Sequence, residues 1–157
     1  NDTPCLGVTI YVDEETSISM GGVEFHFHHS PGHTSDSMII ECDGYLFTGD
    51  FLFTGTEGVG RDDLPSGRTH IHWQALDVLE RFSGDVLVCT GHDSPETEMQ
   101  TLEWNREHNL VLKMETYEEY VTWQENTASS LGSVSKINIA LPANIFAEIP
   151  KEIPWID

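Results

Sequence analysis

Three short motifs in this chain set a side chain that can hold a metal or move a proton beside a glycine. They read His29-Ser30-Pro31-Gly32-His33-Thr34, Phe47-Thr48-Gly49-Asp50 and Thr90-Gly91-His92-Asp93. Imidazole nitrogens together with a carboxylate suit zinc or non-haem iron. A glycine next to the donor lets the backbone turn sharply and leaves room for an ion and its substrate. Any one such His or Asp taken alone is more often a surface or hydrogen-bonding residue. The case rests on all three sharing one arrangement, a donor that follows a short strand and touches a Gly. His33, Asp50 and His92 are therefore the candidate metal ligands. His26 and His28 fall on the polar side of their strand and read as solvated, while His70, His72 and His108 read as ordinary helix residues.

A ligand keeps its direction only if rigid elements hold it. Residues 8–12 read as a strand, closed by the acidic turn Asp13-Glu14-Glu15. Residues 17–20 and 23–28 form a hairpin through Gly21-Gly22. In its second strand Val23, Phe25 and Phe27 alternate with Glu24, His26 and His28, which predicts a buried phenylalanine face and a wet histidine face. Residues 37–42 and 45–48 flank Asp43-Gly44, another hairpin signal. The period then changes. Ile71, Ala75, Leu76, Leu79 and Phe82 predict a helix over 71–82. Residues 86–89 form an apolar strand that runs into Thr90-Gly91-His92. Ser94 reads as an N-cap, with Pro95 opening a helix that continues to His108, and another helix spans 115–126. Residues 138–140 suggest a last strand before an irregular tail bearing Pro142, Pro150 and Pro154. There is no internal repeat, low-complexity tract or flexible linker. Strands first, then helices alternating with strands, predict an α+β fold with helices on one face of a sheet.

The chain has 157 residues, enough for one hydrophobic core, and carries 27 Asp and Glu against 7 Lys and Arg. A net charge of −20 argues against nucleic acid and anionic membrane as partners. It fits either a salt-rich cell interior or, more simply, an ordinary acidic soluble protein. An apolar fraction of 38% is low, but 10% aromatic content and clear strand and helix patterns argue against disorder. Cys5, Cys42 and Cys89 make no CxxC pair and read as free thiols in a reducing cytosol, so a cytoplasmic location is expected. No apolar run approaches a membrane span. Asn1-Asp2-Thr3-Pro4 does not resemble a signal peptide, and without an initiator Met it suggests a processed or cleaved product.

Taken in order, HSPGHT, FTGD, GRDDLPSG and GHD resemble the metallo-β-lactamase superfamily, closest to its glyoxalase II and persulfide dioxygenase branches. The likeness runs over about residues 17–146. The stretch Ile137-Asn138-Ile139-Ala140-Leu141-Pro142-Ala143-Asn144, and the helix with Glu118-Glu119-Tyr120-Val121 before it, resemble persulfide dioxygenases. The resemblance implies an αββα sandwich, of which residues 1–157 supply the C-terminal half, one sheet plus helices. The N-terminal half, with the family's HxHxDH motif, is absent from this sequence. By position, His33 resembles an iron ligand and Asp50 the carboxylate ligand, the other iron ligand coming from HxHxDH. His92 resembles the histidine that binds a second metal in glyoxalase II and stands in the outer shell in persulfide dioxygenases. Arg61 resembles a substrate-binding arginine that pairs with a glutathione carboxylate; a structural salt bridge to Asp62 or Asp63 is the competing reading. Asn144 is assigned to substrate binding with its motif. Asp62 stands where relatives often have Thr, Val59 where Cys is frequent, and Ser94 where an aromatic is usual. Ile145-Phe146-Ala147 lacks the usual Cys. These departures bear on substrate details, not on His33 or Asp50.

Three functions follow. As a persulfide dioxygenase, Fe(II) held by His33, Asp50 and a histidine from the other half would serve oxidation of glutathione persulfide to sulfite and thiol. As a glyoxalase II-like thioester hydrolase, Asp50 would bridge two metal ions, zinc or mixed, with His92 on the second. An inactive fragment or binding module would show neither metal nor turnover. Two ligands alone bind metal weakly, and an uncovered apolar sheet face is rarely left wet. The expected partner is therefore the N-terminal half of the same fold, or a second copy through self-association.

Overall fold

Alternating strands, turned at Gly21-Gly22 and Asp43-Gly44, build most of the sheet. The computed structural model describes residues 10–132, and Val12–Leu131 within them form one compact unit. Strands β1 (Ser17–Met20), β2 (Val23–His29), β3 (Met38–Cys42) and β4 (Tyr45–Gly49) pair antiparallel in order, and β5 (Leu87–Thr90) adds parallel to β4. A parallel neighbour needs a crossover. Here it contains α1 (Thr69–Ala75), which tightens into a 3₁₀ turn over Leu76–Arg81. Helices α2 (Leu102–His108) and α3 (Tyr117–Leu131) follow. This mixed five-stranded sheet with three α-helices is the expected α+β class. One consequence matters for the site: β2, β4 and β5 run the same way, so their C-terminal ends meet at one edge.

Ile39, Leu46 and Val88 on the sheet join Val78, Leu79 and Phe82 of the crossover, Leu102 of α2 and Tyr120 of α3 in one buried cluster. Along β2 the expected alternation holds as far as Phe27, with Glu24 and His26 exposed and Val23, Phe25 and Phe27 half-buried. His28 departs from it, because its register partner is the buried Ile39 and helices cover that end of the strand. His28 sits edge-on to Phe82, with ring centroids 4.7 Å apart, and bonds Glu41 at 3.0 Å. Phe27, Ile40, Phe47 and Cys89 are register partners on the opposite face, where Phe47 is 44% exposed. Period-2 alternation separates two faces but does not say which one the helices cover.

Three boundaries also differ. Residues 10–12, the described part of the first expected strand, are not a strand. The helix expected from 96 starts only at Leu102, because Gln100 and Leu102 bond β5 instead: Val88 N–H donates to the Gln100 carbonyl and Leu102 N–H to that of Val86, both at 2.9 Å. Glu96 has a φ of 71°, outside the helical range. The N-cap is Thr101, whose hydroxyl accepts from Trp104 N–H at 3.1 Å. Helix α3 starts later and runs further than 115–126, to Leu131. Thr116 and Glu119 cap it reciprocally, Glu119 N–H to the Thr116 hydroxyl at 3.3 Å and Thr116 N–H to the Glu119 carboxylate at 3.2 Å. The strand expected at 138–140 lies outside the described residues, as do Cys5 and Asn144. Cys42 and Cys89 are free thiols. No described helix is long and apolar enough to cross a membrane.

Candidate metal centre

The loops after β2, β4 and β5 bring His33, Asp50 and His92 together. His33 Nε2 lies 3.5 Å from Asp50 Oδ2, and His92 Nε2 lies 3.3 Å from the same oxygen. Local hydrogen bonds explain the convergence. Ser30 N–H bonds the Ser37 carbonyl at 2.9 Å and closes the loop carrying His33. Phe51 N–H bonds the Thr48 carbonyl at 3.0 Å, turning the chain at Asp50. Gly91 N–H bonds the Gly49 carbonyl at 2.8 Å, which prolongs the β4–β5 alignment and sets His92 abreast of Asp50. A Cβ at position 91 would stand 2.3 Å from Asp50 Oδ1, so the close approach requires glycine.

The protonation pattern suits a cation. His33 Nδ1 lies 2.6 Å from the Arg61 carbonyl oxygen. A carbonyl only accepts, so Nδ1 carries a hydrogen and the neutral ring presents the lone pair of Nε2 to Asp50. Two acceptors facing each other need a proton or a metal ion between them, and an Nδ1–H held by a carbonyl is the usual support of a metal-binding histidine. Two donors on one tetrahedral zinc-like ion stand about 3.4 Å apart, close to both distances here. Among the described residues, no three His, Cys, Asp or Glu side chains make a metal cage by themselves. The donors form two pairs that share Asp50 Oδ2.

The surrounding residues have structural tasks that the motifs did not reveal. Asp93 accepts from Thr54 N–H at 3.1 Å and the Thr54 hydroxyl at 2.7 Å, fixing the loop that bears His92. Arg61 donates through Nε and Nη2 to the two Asp63 oxygens at 2.5 and 2.6 Å, so Asp63 is its salt-bridge partner. The same Arg61 and His92 line a cleft of about 480 Å³ with Phe53, Val59, Trp123 and Thr127. Buried Asp62 accepts from Thr69 at 3.3 Å and Tyr120 at 3.4 Å, and Gln124 donates to Tyr120 at 2.8 Å and to the Gly60 carbonyl at 3.1 Å. Burial pushes the Asp62 carboxyl and the Tyr120 phenol up. His72 is the largest departure from expectation. It is wholly buried rather than an ordinary helix residue, and burial lowers its pKa to about 4. Tyr120 and Gln124, four apart, were legible as one helix face; their partners, distant in sequence, were not.

The sequence pattern of the metallo-beta-lactamase superfamily matches residues 6–92. A hydroxyacylglutathione hydrolase of Photorhabdus laumondii subsp. laumondii is 30% identical over 148 residues, covering 89% of this chain and 55% of that protein. An uncharacterized protein of Aquifex aeolicus is 37% identical over 92 residues, covering 57% of this chain and 43% of its own length. The chain thus spans about half the length of these relatives. Among solved structures, ETHE1 from Myxococcus xanthus matches with a TM-score of 0.81 at 26% identity, over 94% of this chain and 64% of its own. TTHA1623 in a di-iron-bound form matches with a TM-score of 0.51 at 27% identity, over 63% of this chain and 46% of its own. With the family pattern spanning more than half its residues and the fold shared with these structures, this chain belongs to the metallo-beta-lactamase superfamily.

Proposed function

We propose that this chain carries part of the active site of an iron-dependent persulfide dioxygenase. The observation that carries this reading is His33 Nε2 facing Asp50 Oδ2 at 3.5 Å while Nδ1 is held by the Arg61 carbonyl. His33 and Asp50 would hold iron, and a histidine from outside this chain would complete a facial set of three. The motif resemblance and the likeness to ETHE1 over 94% of the chain support it. The overall reaction converts a persulfide, dioxygen and water to a thiol, sulfite and two protons. The sulfane sulfur loses four electrons and dioxygen gains them. Bound iron would supply the redox chemistry. The chain's own residues orient and shield. Phe53, Val59 and Trp123 wall the cleft beside His92. Arg61, steered by Asp63, pairs with a substrate carboxylate such as those of glutathione. The apolar face of Phe27, Ile40 and Phe47 takes the complementary N-terminal sheet of the same fold.

His92 favours a second reading. It lies as near Asp50 Oδ2 as His33 does, which suits a carboxylate shared between two ions and hydrolysis of a glutathione thioester. The hydrolase relative supports this one. To test both, the iron-loaded chain is assayed alone and with an N-terminal complement bearing HxHxDH. Oxygen uptake with sulfite formation from glutathione persulfide is expected from the complemented protein. No uptake, with thioester hydrolysis and two ions per molecule, would replace the first reading with the second. Neither activity nor bound metal would leave a binding module.

A further inference from the structure

The crossover helix α1 contains a residue whose placement costs stability without an evident return. His72 has no exposed surface, and its Nδ1 has no hydrogen-bond partner. A buried polar atom left unpartnered is destabilising, and a leucine at this core position would avoid that loss. The other ring nitrogen explains the choice. His72 Nε2 lies 3.3 Å from the Phe51 carbonyl oxygen. Because the carbonyl only accepts, Nε2 carries the hydrogen and Nδ1 is the bare atom. Phe51 follows Asp50 directly.

On its other side His72 meets the loop of His33. Gly32 packs so tightly that a Cβ there would lie 2.2 Å from His72 Cβ. One turn earlier in the chain, Arg68 N–H donates to the Gly32 carbonyl at 2.9 Å. Phe51 and Tyr120 enclose the imidazole, with ring centroids at 5.0 and 6.0 Å. His72 therefore touches the residue just before one candidate ligand and the residue just after the other.

We propose that His72 is a positioning residue that sets the separation of His33 and Asp50 by tying the Phe51 peptide to the Gly32 backbone. This rests on the reading of His33 and Asp50 as metal ligands. A side chain that only packs would hold the two loops in contact, but the hydrogen bond also fixes the peptide that follows Asp50. The metal site gains its geometry at the expense of an unpaired Nδ1, a trade of stability for function.

The test compares His72→Leu, His72→Phe and His72→Gln with the unaltered chain, each joined to the N-terminal complement bearing HxHxDH. Co(II) affinity is read from ligand-field absorption, and thermal unfolding is followed without metal. Leu removes the bare nitrogen and the donor; Phe keeps a ring without the donor; Gln restores an N–H at similar reach. Leu and Phe are expected to bind Co(II) about 10–100-fold more weakly, the range for outer-shell losses. At least one of them should melt no lower than the unaltered chain, and Gln should recover much of the affinity. Unchanged affinity in Leu and Phe would overturn the assignment and leave the ligand reading intact. So would losses that follow the melting temperature across all three variants. If the complemented, unaltered protein binds Co(II) no more tightly than the complement alone, the ligand reading fails and this assignment fails with it.

Discussion

At Asp50 one carboxylate oxygen faces two imidazole nitrogens, and each of the three residues depends on a different support. His33 is oriented by a carbonyl, His92 by the strand alignment that continues through Gly91, and Asp50 by a turn closed on Thr48. A neutral amide at position 50 keeps one oxygen but loses the charge that attracts a cation. Asp50→Asn is therefore expected to weaken Co(II) binding by more than the roughly 10–100-fold that a supporting residue is worth, as isothermal titration would show. All three ligand candidates could be singled out in the sequence, because each follows a short strand and stands beside a glycine. Their shared oxygen was not, since side-chain direction depends on loops that close through backbone bonds. The Asp63 partner of Arg61 was one of two candidates that sequence distance alone left open.

Between elements, the loop from Gly60 to Asp63 is held by helix α3 as well as by the site. Asp62 is the buried group in that network, and desolvation raises its pKa against the hydrogen bonds from Thr69 and Tyr120. The folded chain thus takes up this proton at a higher pH than the unfolded chain does. Its favourable contribution is complete below the unfolded carboxylate value and is lost as pH rises through the folded one. At neutral pH the charged form subtracts from stability. Asp62→Asn should accordingly be more stable than the unaltered chain at pH 7, with the difference closing as pH falls through the raised folded value of Asp62. Urea titrations at several pH values measure this. The α3 cap gives an independent check. Thr116→Ala removes the hydroxyl that accepts from Glu119 N–H and should cost about 1 kcal/mol in the same assay. Helix existence was readable from apolar spacing. The late start of α2 was not, because residues 100 and 102 bond an edge strand that propensity does not see.

Across the whole unit, the sheet is covered by helices on one face and presents Phe27, Ile40 and Phe47 on the other. On that second face Phe47 is 44% exposed. If a complementary sheet seats there, a charge at its centre should obstruct it. Phe47→Asp is expected to leave the circular dichroism spectrum unchanged and to weaken association with the N-terminal complement by at least about tenfold, as for an interface anchor. Sedimentation measures the affinity; equal binding by the variant would place the complement elsewhere. The net charge of −20 opposes self-association at low salt, which makes a complement of different charge the better occupant than a second copy.

The two hairpins of β1 to β4, the presence of the helices and the choice of His33, Asp50 and His92 as candidate donors were readable in the sequence, because alternation, helical spacing and glycine placement are local signals. The family resemblance followed from the same motifs. Tertiary structure alone decided which sheet face the helices cover, since alternation is symmetric between faces until something packs on one. It also decided that β2, β4 and β5 end at one edge, and that His72 stands between the two ligand loops. These relations join residues far apart in the chain, and they exist only once parallel β5 has returned through the crossover to lie beside β4.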